Sequence, residues 1–108
     1  MGATPAEDRV FRALADPNRR AIFGALAQGE AAVKELTARF DISQPAVSQH
    51  LAALRDAGLV SARPEGRRVY YRIEPHGMKP LHDWIAQHGG SWTERADRAE
   101  RPAGEMAR

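Results

Sequence analysis

The sequence predicts a mainly α-helical chain of five helices that carries one small β-hairpin. Three observations lead there. Apolar residues recur at helical spacing as far as Gly58. Between Val60 and Ile73 the period drops to two on either side of the turn sequence Pro64-Glu65-Gly66. After Pro75 the helical spacing returns.

Thr4-Pro5-Ala6-Glu7 starts the first helix, with proline at its first position and glutamate at its third. Val10, Phe11 and Leu14 then share one face. Asp16-Pro17 repeats the start signal for a second helix, which holds Asn18, Arg19 and Arg20 in its first turn and Ile22, Phe23 and Leu26 on its apolar face. Gly29 is its expected stop. A short third helix is expected from about Ala32 to Phe40, with Val33, Leu36 and Phe40 inward. Only Asp41-Ile42 separates it from the fourth, which Ser43 caps ahead of Gln44-Pro45. Val47, Leu51 and Leu54 fall at i, i+4 and i+7 and so form its core face. Gly58 is the expected left-handed stop. Two helices joined so tightly, each with a narrow apolar stripe, make a helix-turn-helix pattern.

In the hairpin, Val60 and Ala62 alternate with Ser61 and Arg63, and Val69, Tyr71 and Ile73 alternate with Arg68, Tyr70 and Arg72. One face is therefore expected to be buried and the other rich in arginine. Because an isolated hairpin is marginal in water, this one must pack on the helices. A hairpin in this place after a helix-turn-helix is a wing. The last helix, read from Pro75, carries Met78, Leu81, Ile85, His88 and Trp92 at alternating spacings of three and four, a coiled-coil-like seam flanked by Trp84. Gly89-Gly90 interrupts it at a cost of about 2 kcal/mol against alanine. The capping sequence Ser91-Trp92-Thr93-Glu94 suits a break and restart. Residues 1–101 read as one domain, and 102–108 as a frayed tail.

A chain of 108 residues has room for one core, and 43% apolar with 28% charged residues suits a folded protein. The absence of cysteine excludes disulfide scaffolds, iron–sulfur clusters, thiolate zinc sites and cysteine nucleophiles. No apolar run approaches the ~20 residues that a membrane helix needs. Met1 to Arg12 contains Glu7, Asp8 and Arg9 and no apolar signal core, so the expected location is the cytoplasm, by elimination. No enzyme is expected: the carboxylates are scattered, no serine sits in a glycine elbow, and no glycine-rich loop follows a strand.

The formal charge of +2 is unevenly placed. Between Ser43 and Arg72 lie Arg55, Arg63, Arg67, Arg68 and Arg72 against Asp56 and Glu65 alone, a concentration that suits a polyanion. The fourth helix offers Gln44, Ser48, Gln49 and His50 at its exposed N-terminal end, short or amide side chains of the kind that read base edges. Ser43 and Pro45 complete that terminus, whose free N–H groups and positive dipole favour phosphate. On the hairpin, Arg67 and Arg68 are the expected contacts to the duplex backbone, with Arg63 and the Tyr70 hydroxyl as further candidates.

Ser43-Gln44-Pro45-Ala46-Val47-Ser48-Gln49-His50-Leu51, followed by Leu54-Arg55 and Gly58-Leu59-Val60, resembles the winged-helix repressors of the ArsR/SmtB family. Ala13-Leu14-Ala15-Asp16-Pro17, Arg19-Arg20, Glu65-Gly66-Arg67 and Tyr70-Tyr71 support it. The resemblance implies a winged helix-turn-helix homodimer joined through the first and last helices, with Val10, Leu14, Met78, Leu81, Trp84, Ile85, His88 and Trp92 at the interface. It also implies a palindromic double-stranded operator and repression of the protein's own or a neighbouring operon. The family's metal sensors carry a cysteine pair on the third helix, where this chain reads Val33-Lys34-Glu35-Leu36-Thr37. His76, His82, Asp83 and His88 do not match the family's other metal spacing, and His82 and His88, six apart, lie about 240° around a helix from each other, so they cannot clasp one ion from one chain. The chain therefore resembles the metal-independent branch. No cofactor and no membrane partner are expected, and an inducing small molecule is left unassigned. Two alternatives stand beside this reading: a winged-helix module that binds protein without DNA, and a repressor answering to zinc through histidine and carboxylate ligands.

Overall fold

The computed structural model describes residues 5–89 and 94–99. Its elements run α1 (Pro5–Ala15), α2 (Pro17–Leu26), β1 (Ala31–Ala32), α3 (Val33–Arg39), α4 (Gln44–Asp56), β2 (Val60–Glu65), β3 (Arg68–Ile73) and α5 (Lys79–His88). Residues 94–99 are helical as well. The five expected helices and the hairpin are thus present. Thr4, Ser91-Trp92-Thr93 and the tail expected at 102–108 lie outside the described residues. No described helix is long and apolar enough to cross a membrane.

Two details at the α1–α2 corner follow from the sequence. Asp16 Oδ1 accepts from the backbone N–H of Asn18 at 2.8 Å and of Arg19 at 3.2 Å, so it caps α2. Those N–H groups, that of Arg19 first, hold the Asp16 carboxyl below its ordinary value. Arg20 Nη1 donates to the carbonyls of Leu14 at 2.6 Å and Ala15 at 3.1 Å, which closes the C-terminal end of α1.

The core lies where α1, α2, α3 and α4 meet. Val10, Ile22, Leu36, Val47, Leu51, Leu54 and Leu59 are at most 1% exposed. Burying each such side chain stabilises the fold by roughly 1.5–3 kcal/mol. Val10 is one of them, so the expectation that it serves a dimer interface is corrected: its area is already used inside the protomer.

The sheet has three antiparallel strands in the order β1-β3-β2, where the sequence predicted two. β1 is Ala31-Ala32, paired with Tyr71 and Tyr70. Two alanines carry no strand signal; the pairing is made by tertiary placement. The register of β2 on β3 sets Ala62 opposite Tyr71, Arg63 opposite Tyr70 and Glu65 opposite Arg68. Tyr71 and Ile73 pack against the core as the alternation predicted. Val69 does not: it is 40% exposed.

α4 ends as expected. Gly58 has φ 78°, its N–H donates to Arg55 O at 2.9 Å, and the N–H of buried Leu59 donates to Leu54 O at 2.9 Å. This left-handed stop satisfies the last carbonyls and turns the chain into β2. The last helix starts later than predicted, at Lys79 rather than Pro75. Residues 75–78 form turns, and the proline inside the first turn of α5 is Pro80. Within that turn Gly77 lies so close to the end of α4 that a Cβ there would stand 2.3 Å from Gly58 O. A glycine is required at this approach, and it ties the start of α5 to the end of α4. α5 then packs on α1 and stops at Gly89.

Candidate nucleic-acid interface

Burying Val47, Leu51 and Leu54 completely turns the opposite side of α4 outward. Ser43 Oγ accepts from the Ala46 N–H at 3.2 Å and so occupies one of the free donors of the first turn. Ser43, Gln44, Pro45, Ser48 and Gln49 are all exposed there. They form a compact polar surface with no large apolar anchor, at the positive end of a 13-residue helix.

His50 stands apart from that group. It is half-buried, and its Nδ1 accepts from Arg19 Nε at 3.4 Å. That contact links α4 to α2 across 31 residues of sequence. The expectation that His50 shares the open face is corrected accordingly. Helical spacing places it beside Gln49, whereas packing turns it toward α2.

On the wing, Gly66 turns with φ 64° and presents Arg67 and Arg68 at the tip. Both are exposed, and neither has a side-chain partner among the described residues. Lys34 of α3 lines a groove with them, beside Val33 and Val69. Sequence reading did not single out Lys34, since α3 offered no pattern linking it to the wing. Arg72 is also exposed, its Nε 3.4 Å from Ser61 Oγ.

Arg63 is differently placed from the tip arginines. Its Nε and Nη2 donate to Glu30 Oε1 and Oε2 at 3.2 and 2.6 Å, a two-pronged pairing, and its Nη1 pairs with Glu65. Its guanidinium carbon lies 5.1 Å from the centre of the Tyr70 ring. The hydrogen bond to Arg63 holds the Glu30 carboxyl below its ordinary value, and Glu30 first, then Glu65, raises Arg63. With two carboxylates around it Arg63 adds no free positive charge to the wing. These carboxylates compete with the phosphate contact expected of Arg63, whereas Tyr70 meets Arg63 through its ring face, which leaves the contact expected of its hydroxyl open.

The α1–α5 side carries a second exposed feature. Phe11 is 40% exposed and meets Trp84 edge-on at 5.4 Å, and Trp84 stacks on His88 at 4.6 Å. His88 Nδ1 lies 3.0 Å from Trp84 O. Ile85 is 51% exposed. Leu14, Met78 and Leu81 are partly buried against the protomer's own core, so less of them remains for a partner than the seam predicted. Phe11, which the sequence does not place at the interface, has more to offer. Asp83 pairs with Lys79 at 2.9 Å, and among the described residues no group of three or more histidine and carboxylate side chains converges.

The sequence model of the family described as bacterial regulatory protein, arsR family, matches residues 16–62. The chain is 47% identical over 81 residues to the HTH-type transcriptional regulator Rv2034 of Mycobacterium tuberculosis, covering 75% of this chain and 76% of that one. It superposes on the crystal structure of the ArsR family transcriptional regulator RHA00566 with a TM-score of 0.74 and 34% identity, over 86% of this chain and 97% of that one. A homodimeric winged helix-turn-helix DNA-binding domain from Mycobacterium bovis, solved in solution, gives 0.65 and 33% identity over 83% and 93%. The chain spans between 52% and 59% of the length of three further curated relatives.

Proposed function

Because the chain belongs to the ArsR family of bacterial regulatory proteins, we propose that it is a homodimeric DNA-binding repressor whose α4 reads the major groove and whose wing tip grips the flanking backbone. The observation that carries this reading is the division of α4. One side is wholly buried, and the other presents Gln44, Ser48 and Gln49 at a capped, positive helix end. Glutamine pairs with adenine through two hydrogen bonds, and serine accepts or donates to either partner. Arg67 and Arg68, exposed and unpaired among the described residues, supply charge that neutralises phosphate without reading sequence.

Dimerisation runs through Phe11, Trp84, Ile85 and His88, an apolar and aromatic face that the protomer leaves uncovered. A two-fold axis there sets two copies of α4 into successive major grooves, so the operator is palindromic. Occupying it excludes transcription of the adjacent genes. The site carries no catalytic constellation and needs no cofactor in this reading.

Titrating the protein against duplex from upstream of its own coding region, at several salt concentrations, tests the proposal. Affinity should fall steeply with salt through counterion release, and replacing both Arg67 and Arg68 by alanine, which removes four arginines from the dimer, should flatten the logarithmic slope by about 4. A protein that ignores every duplex while capturing a protein partner would overturn the reading in favour of an interaction module.

A further inference from the structure

We propose that Glu30 and Arg63 form a brace that sets the angle of the wing, so that Arg63 is a positioning residue for DNA binding rather than a DNA contact. The inference rests on the reading of the wing as a DNA-gripping element. Its geometry follows the sheet register. Arg63 on β2 lies opposite Tyr70 on β3, and Tyr70 in turn lies opposite Ala32 on β1. From β2 the Arg63 side chain extends over the Tyr70 ring and reaches Glu30, the residue before β1. The outer strand of the wing is thereby fastened, across the whole sheet, to the connection that follows α2.

β1 has two residues, so its ladder to β3 is short. A two-pronged guanidinium–carboxylate pairing has a preferred plane, which a single charge contact lacks. The Tyr70 face and Glu65 fix the same guanidinium from two further sides. A wing tilted by a few degrees would carry Arg67 and Arg68 off the backbone that α4 has registered.

Glu30→Gln removes a negative charge from a DNA-binding protein, which by charge alone strengthens binding. A broken brace instead weakens operator affinity, by about fivefold for a partly exposed pairing. Arg63→Lys keeps the cation but loses the fork, and should weaken binding nearly as much as Arg63→Gln. The salt slope should stay that of the wild type, since no phosphate contact is lost. Glu30→Gln and Arg63→Gln together should cost little more than either alone. Hydroxyl-radical footprints should lose protection at the flanks while the central protection by α4 remains. Tighter binding by Glu30→Gln, wild-type affinity for Arg63→Lys, or a flattened slope for Arg63→Gln would overturn the brace. Amide hydrogen exchange in the free protein tests it without DNA: Glu30→Gln should speed exchange in 61–72 and leave α4 unchanged. Unaltered exchange there would overturn the brace even if the wild type bound no duplex at all.

Discussion

α4 and α5 are both amphipathic, and the chain treats their apolar sides in opposite ways. Val47, Leu51 and Leu54 of α4 vanish into the protomer, whereas none of the residues of α5 is fully buried and Ile85 is 51% exposed. A helix whose apolar stripe is satisfied at home has its polar face to offer, and α4 offers glutamine and serine. A helix whose stripe is left open needs a second surface, and for α5 the proposed surface is its own copy. Gly77, pressed against Gly58, joins the two helices end to start. The spacing between the two copies of α4 therefore depends on how α5 is seated.

Substitutions can break that contrast, beginning with the largest effect. Leu51→Ala leaves a cavity in a fully buried site and should cost roughly 3 kcal/mol in chemical denaturation. Ile85→Ala should cost the isolated protomer clearly less than Leu51→Ala, because about half of the Ile85 side chain is already exposed there. Ile85→Glu places a carboxylate in the proposed interface and should raise the dimer dissociation constant roughly a hundredfold in sedimentation, with operator affinity falling alongside. A persistent dimer would remove α5 from the interface. Gln49→Ala should leave folding unchanged while flattening discrimination at one base pair by about 1–3 kcal/mol in binding-site selection. Ser43→Ala removes the α4 cap and should cost about 1 kcal/mol in the same denaturation.

The smallest effect is one of pH. The hydrogen bond from Lys79 holds the Asp83 carboxyl below its ordinary value of 3.8. A depressed folded value means that the stabilisation is present above the unfolded value and lost as pH falls through the folded one. The Ser43 cap does not titrate. Acidification below about pH 4 should therefore loosen the first turn of α5 before that of α4, as read by Cα chemical shifts, and Asp83→Asn should abolish the difference.

The residues also show why the sequence was legible in some places and not in others. The buried stripe of α4 and the stop at Gly58 are local, encoded within a few turns, and both stand where the spacing puts them. The exposed tip arginines were legible for the same reason: Gly66 and the strand alternation place them. What escaped depends on distant neighbours. β1 is two alanines that become a strand because β3 arrives beside them. Arg63 meets Glu30 from 33 residues away, and His50 meets Arg19 from 31. In each case a side chain assigned to the open face is drawn to a partner that no local pattern announces. Pro75 carried a helix-start signal that belongs to a turn, because Gly77 must first pass the end of α4. Val10 has helical spacing like any interface residue, and only packing shows that α1 turns it inward while leaving Phe11 out.

Hydroxyl-radical footprinting of the wild-type protein on duplex from upstream of its own gene tests the pairing of α4 with α5 most directly. Two protected stretches on one face of the duplex, centred about 10 base pairs apart, are expected from two copies of α4 held by one α5 interface. A single protected stretch, occupied by one protomer with full affinity, would contradict it.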